Sequence, residues 1–155
     1  MPGSAGGPVL DASALLAYLG DEPGANVVAD AVAGGAAISA VNLAEALSTA
    51  AAKGADAEQL ANELRDRGLL DGAITVEPFT TADAIQTARL RPLTRAAGLS
   101  PGDRACLALA GRLQAAVLTS DAGWSTLELP IDVRVIRLAT TPAPRQRRAA
   151  GASPL

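Results

Sequence analysis

Residues 8–16 read Pro-Val-Leu-Asp-Ala-Ser-Ala-Leu-Leu: an apolar run stops at an acid, and a small-residue helical pattern starts at once. So short a run reads as a buried strand, and the acid that ends it is delivered to the carboxyl edge of a sheet. Asp11 then stands at or near the N-cap of the next helix. Glu45, Asp103 and Asp121 occupy comparable places, near where other helical patterns begin. One cluster of four carboxylates at that edge is therefore the expectation around which the chain is organised.

The remaining pattern agrees with such a sheet. Strands are expected at 9–10, 36–39, 74–76, 116–119 and 133–138. Helices are expected at 12–19, 25–33, 41–53 and 56–69, and from Thr80 or Thr81 towards Arg91, where Pro92 kinks or ends the pattern. A last helix runs to Leu113, with Ser100 as N-cap and Pro101 at its first position. Short strands alternating with helices specify an α/β fold, with a mainly parallel sheet of about five short strands flanked by helices. Residues 1–7 read as a flexible N-terminus, residues 8–139 as one domain, and residues 140–155 as a flexible basic tail carrying Arg145, Arg147 and Arg148.

Composition narrows the chemistry. Histidine is absent, which removes imidazole bases, Ser-His and Cys-His nucleophiles and histidine-bearing zinc sites. The single cysteine, Cys106, excludes an internal disulfide and a multi-cysteine metal site. With Tyr18, Phe79 and Trp124 the only aromatics, the core must be aliphatic. A net charge of −3 disfavours binding nucleic acid by bulk charge, so such contacts must be local. No signal peptide is apparent, and the longest apolar region, 106–118, is broken by Arg112 and Gln114. A cytoplasmic location with no membrane association is the expectation.

Each acid taken alone has a structural explanation. Asp11 and Asp121 could cap helices, Asp103 could complement a helix dipole, and Glu45 could be solvated. Asp103 also shares a helical face with Cys106, Leu107, Ala110 and Leu113, so burial is expected for it. A buried carboxylate needs an arginine or a cation as compensation, and donors limited to carboxylate oxygen suit Mg²⁺ or Mn²⁺. Ser13, Thr119 and Asn42 are supporting candidates, although helix starts and strand ends also favour such residues. From Arg89 to Arg112 the chain carries five arginines against Asp103 alone, which makes Arg91, Arg95 and Arg104 candidate RNA contacts. A solvated helix face accounts for them equally well.

Four segments carry a family resemblance: Val-Leu-Asp-Ala-Ser-Ala-Leu-Leu-Ala, Asn-Leu-Ala-Glu-Ala-Leu, Ser-Pro-Gly-Asp-Arg-Ala-Cys-Leu-Ala-Leu-Ala and Leu-Thr-Ser-Asp-Ala-Gly-Trp. In this order, across residues 9–138, they resemble the PIN-domain ribonucleases, in particular the VapC toxins of toxin–antitoxin pairs. The resemblance implies a PIN-like nuclease domain and a metal-dependent endoribonuclease, hydrolysing RNA phosphodiesters with a metal-activated water. It assigns Asp11, Glu45, Asp103 and Asp121 as the metal and catalytic residues, with Mg²⁺ or Mn²⁺ as cofactor. Thr119 matches a hydroxyl position before the last acid, and Trp124 an aromatic position after it. The resemblance also implies a homodimer and a cognate VapB-type antitoxin, for which the helices at 25–33 and 41–69 are the candidate groove. Three other readings stand beside it. A phosphoacceptor receiver needs a lysine late in the sheet, whereas the one lysine is Lys53. A DNA-directed nuclease of similar fold, and a catalytically inactive PIN-fold module binding RNA or protein, are the others.

Overall fold

The computed structural model describes residues 6–137. Five strands, β1 (Val9–Leu10), β2 (Ala36–Ser39), β3 (Ile74–Glu77), β4 (Val117–Thr119) and β5 (Val133–Val135), form one sheet in the order β3-β2-β1-β4-β5. All of its pairings are parallel. The helices among the described residues are α1 (Ala12–Leu19), α2 (Ala25–Gly34), α3 (Ala40–Ala52), α4 (Ala57–Asp66), α5 (Thr81–Thr94) and α6 (Pro101–Leu113). Short 3₁₀ turns occupy Arg95–Ala97 and Ala122–Thr126. The α/β class and the five-stranded parallel sheet are as the sequence led one to expect.

The register divides the interior into two layers. Leu10 is aligned with Ile38 and Leu118, and these three pack in one cluster with Leu15, Val28 and Leu64. Val9 is aligned with Ala37 and Val117, which pack in the other cluster with Leu90, Leu107 and Trp124. Alternate residues of a strand face opposite sides, so β1, β2 and β4 each feed both layers. Burial on both faces explains why β1, β2 and β4 read as apolar runs, whereas the edge strands β3 (Ile-Thr-Val-Glu) and β5 (Val-Arg-Val) alternate.

Strand order also positions the site. From β1 the chain moves outward to β2 and β3, then returns to β1's other side for β4 and β5. The order therefore reverses between β1 and β4. In open parallel sheets, a crevice forms beyond the carboxyl ends of the strands at such a switch point. Asp11 follows β1 directly, and Asp121 follows β4 by two residues.

Several expected boundaries move. The fourth helix ends at Asp66 rather than 69, because Gly68 takes a left-handed φ of 75°. Gly68 N–H then donates to the Arg65 carbonyl and Leu69 N–H to the Leu64 carbonyl, a glycine C-cap that turns Leu69 and Leu70 into the core. Helix α5 runs through Pro92 to Thr94 instead of stopping near Arg91. Pro92 and Ala88 are both exposed, so the Ala88 carbonyl left without an amide partner can be hydrated. Strand β5 ends at Val135, and Leu138 and the basic tail at 140–155 lie outside the described residues, as do residues 1–5.

Candidate active site

The four acids come from four elements and line a single cavity of about 250 Å³, together with Ser13, Leu16, Thr49 and Trp124. No arginine or lysine lines that cavity, and none of the four acids forms an ion pair among the described residues.

Asp11 is the most constrained of them. It is 4% exposed and caps α1, its Oδ1 accepting from Ala14 N–H at 2.8 Å and from the Ser13 hydroxyl at 2.7 Å. Its Oδ2 accepts from the Thr119 hydroxyl at 2.5 Å. The capping role and the site role thus coincide in one carboxylate. Burial pushes its pKa above the ordinary aspartate value; the Ser13, Thr119 and Ala14 hydrogen bonds oppose this, and the nearby Asp103 charge adds to it.

The supporting hydroxyls link β1 to β4. Ser13 Oγ accepts from Ser120 N–H at 3.0 Å, and Thr119 Oγ1 accepts from Asp121 N–H at 3.1 Å. Ser13 and Thr119 therefore clamp the two loops at the switch point while orienting Asp11. Asp121 is exposed and caps the following 3₁₀ turn, its Oδ1 accepting from Gly123 N–H at 2.8 Å.

Asp103 departs from expectation. It is only half-buried, and it closes a capping box: Oδ2 accepts from Ser100 N–H at 2.9 Å, and its own N–H donates to Ser100 Oγ at 3.1 Å. The helical face it shares with Cys106 and Leu107 is buried from Ala105 onward. The first turn of α6 protrudes past the core, so Asp103 sits at the cavity rim.

Glu45, half-buried on α3, faces the same rim. Its carboxyl is raised by burial first and by the Asp103 charge second; the Asn42 amide opposes this, while Asp11 adds a further repulsion. Asn42 is fully buried and donates from Nδ2 to the Gly102 carbonyl at 3.0 Å, tying α3 to the start of α6. Gly102 itself escaped notice in the sequence, where it reads only as part of a helix start. A Cβ at Gly102 would lie 1.4 Å from Glu45 Oε1, so the absence of a side chain makes the seat for that carboxylate. Cys106 lies beneath the group, fully buried; burial first, then Asp11, Asp103 and Glu45, push its thiol well up, and it remains a protonated core residue.

With this geometry in view, the PIN domain family profile matches residues 9–128. The chain belongs to the PIN domain family. No curated protein matches it at a significant level. Among solved structures, a toxin–antitoxin complex from Klebsiella pneumoniae contains a chain of the same fold, with a TM-score of 0.62, 18% identity, and coverage of 84% of this chain and 99% of that one. FitAcB from Neisseria gonorrhoeae gives a TM-score of 0.60 at 21% identity over 81% of this chain and 94% of that one. VapBC2 from Rickettsia felis, bound to a DNA fragment from its promoter, gives 0.59 at 18% over 81% and 96%.

The donors of this PIN domain suit a hard divalent cation: only oxygens, no neutralising base, and carboxyls raised by burial and mutual repulsion. Among the described residues, no three acidic or thiol side chains converge closely enough to form a closed metal shell by themselves. The cavity is thus shared by the four acids without being collapsed around a point.

Proposed function

We propose that this PIN domain is a metal-dependent endoribonuclease and the toxin of a toxin–antitoxin pair. The observation that carries the reading is the convergence of Asp11, Glu45, Asp103 and Asp121 on one cavity free of basic side chains. Clustered carboxylates repel RNA, so the arrangement has a use in phosphodiester chemistry only with cations. When bound, Mg²⁺ or Mn²⁺ lowers the pKa of water and offsets the charge that develops on a phosphodiester under attack.

The residues divide the work by their surroundings. Asp11 and Asp103 are the central ligands, with Glu45 and Asp121 completing or orienting the shell. Thr119 and Ser13 hold Asp11 in one rotamer, and Asn42 fixes the spacing of α3 and α6, which bear Glu45 and Asp103. Trp124, 2% exposed, packs in the core while lining the cavity, and limits water on that side. Arg91, Arg95 and Arg104 are the RNA contacts.

The fold shared with a chain of a toxin–antitoxin complex supports a cognate VapB-type antitoxin as partner. Its groove is formed by α2, α3 and α4. A shallow face of α3, including Val41 and Ala44, shares Glu45 and Thr49 with the carboxylate cavity, so a helix laid there reaches the site. The protein acts as a homodimer in the cytoplasm. No helix among the described residues is long and apolar enough to cross a membrane. Mn²⁺-dependent cleavage of RNA by the purified chain, abolished by chelation, tests the proposal. RNA or partner binding without cleavage would favour an inactive PIN-fold module.

A further inference from the structure

Beyond the carboxylate cavity lies a second one of about 420 Å³, lined by Arg91, Arg95 and Arg104 with Thr94, Gly98 and Pro101 among its walls and no acid. It is formed where α5, the 3₁₀ turn at Arg95–Ala97 and the start of α6 meet. Asp103 lines the carboxylate cavity and Arg104, the next residue, lines this one. The two cavities therefore lie on adjacent faces of one helix terminus.

Three features mark it as an anion site. First, none of the three guanidiniums has a carboxylate within 4.0 Å among the described residues, whereas Arg65, Arg112, Arg134 and Arg137 each do. Second, Arg91 and Arg95 are four residues apart, where like charges repel on a helix, and an anion between them relieves that repulsion. Third, Arg104 is held in place: NH1 donates to the Thr87 carbonyl at 3.0 Å, and Nε is enclosed with no hydrogen-bond partner. A guanidinium already ordered loses little freedom on binding. The positive end of the α6 dipole, at Pro101, adds to the field.

We propose that this cavity is a single-phosphate subsite, which grips one backbone phosphate of single-stranded RNA away from the scissile linkage and so sets where the strand is cut. The inference rests on the RNA-nuclease reading. Its chemistry is local: one phosphate diester held by three arginines, in a chain of net charge −3 that offers RNA little long-range attraction.

The test measures binding of a labelled single-stranded RNA to the full chain in chelator, as a function of salt, for the wild type, Arg91→Gln, Arg95→Gln and Arg89→Gln. Arg89 is exposed on the same helix and does not line the cavity. Loss of one phosphate contact flattens the slope of log K against log salt by about 0.7 for single strands. Flattening by no more than that is expected for Arg91→Gln and for Arg95→Gln, since both hold the same phosphate, with Arg89→Gln unchanged. Inorganic phosphate should also shift the Arg104 Nε–H NMR signal saturably in the wild type and not in Arg95→Gln. Equal losses in all three variants, or no change in slope, would overturn the subsite. Cleavage that persists with no pocket-specific slope would overturn the subsite alone; a pocket-specific slope without Mn²⁺-dependent cleavage would overturn the nuclease reading alone.

Discussion

Gly102 and Glu45 occupy one volume between them: the Glu45 carboxylate sits where any side chain at position 102 would have to begin, 1.4 Å from the ideal Cβ position. The obstructing atoms belong to the free end of a flexible side chain, so Gly102→Ala is expected to move Glu45 rather than unfold the protein. Displacing a catalytic group by an ångström costs about 10²-fold in rate. The variant should lose RNA cleavage on that scale while its melting temperature stays within a few degrees of wild type. Full activity would show that Glu45 works from another position.

The Thr119 hydroxyl donates a hydrogen bond to Asp11 and accepts one from Asp121 N–H. Thr119→Val keeps the shape and strands both groups, at an expected cost of about 1–3 kcal/mol. Thr119→Ser keeps the hydroxyl and should restore most of the loss. Chemical denaturation of the pair checks this; equal destabilisation by both substitutions would assign the loss to the methyl group instead.

Asp11 burdens the folded state when ionised. Its folded pKa is raised, chiefly by burial, so the native state retains a proton that the unfolded chain releases. Stability therefore falls as pH rises from the ordinary aspartate value through the raised one, and stays low above it. Asp11→Asn removes the charge, keeps Oδ1 as acceptor for the Ser13 hydroxyl and Ala14 N–H, and turns the Thr119 contact round so that the amide donates to Thr119 Oγ1. In chelator it should melt above wild type at neutral pH, with the gap closing at acid pH. A variant that melts lower at every pH would contradict this.

The Asp83–Arg112 pair has the opposite sign. Burial tends to raise the Asp83 carboxyl, but the Arg112 guanidinium and the Thr80 cap outweigh it and hold the pKa below the ordinary value. Arg112 donates from Nε to Oδ1 at 2.9 Å and from NH2 to Oδ2 at 3.2 Å. The pair's stabilisation is present above the unfolded carboxyl pKa and is lost as pH falls through the depressed one. Arg112→Met leaves a buried charge unmatched. Because the Arg112 side chain is 36% exposed, the expected cost is about 2–3 kcal/mol, short of the full penalty for a buried pair. Equilibrium unfolding at neutral pH measures it, and a loss under 0.5 kcal/mol (about the scatter of surface substitutions) would refute the role.

The sheet and the positions of the acids were legible because both leave local signatures. An apolar pair ending in Asp11 and a Ser-Pro start at α6 need only neighbouring residues to be read. What the sequence hid depends on distance. The Arg112–Asp83 contact spans 29 residues and the Asn42–Gly102 contact 60, and neither has a periodic pattern. A helical wheel put Asp103 on a buried face because it carries no information about where a helix outruns its core. Of the five arginines between 89 and 112, folding sends Arg91, Arg95 and Arg104 to one cavity and commits Arg112 to Asp83. The sequence singled out those same three as RNA-contact candidates, but nothing in it pointed to the Asp83 partner of Arg112.

The central claim is that four carboxylates act together through a divalent cation on RNA. Its most direct measurement is cleavage of a panel of structured and unstructured RNAs by the purified chain in Mn²⁺, in Mg²⁺ and in chelator, alongside Asp11→Asn and Asp103→Asn. Cleavage should require the metal and disappear in both variants, each of which should remain folded by circular dichroism. Cleavage that survives chelation or persists in Asp11→Asn would contradict it.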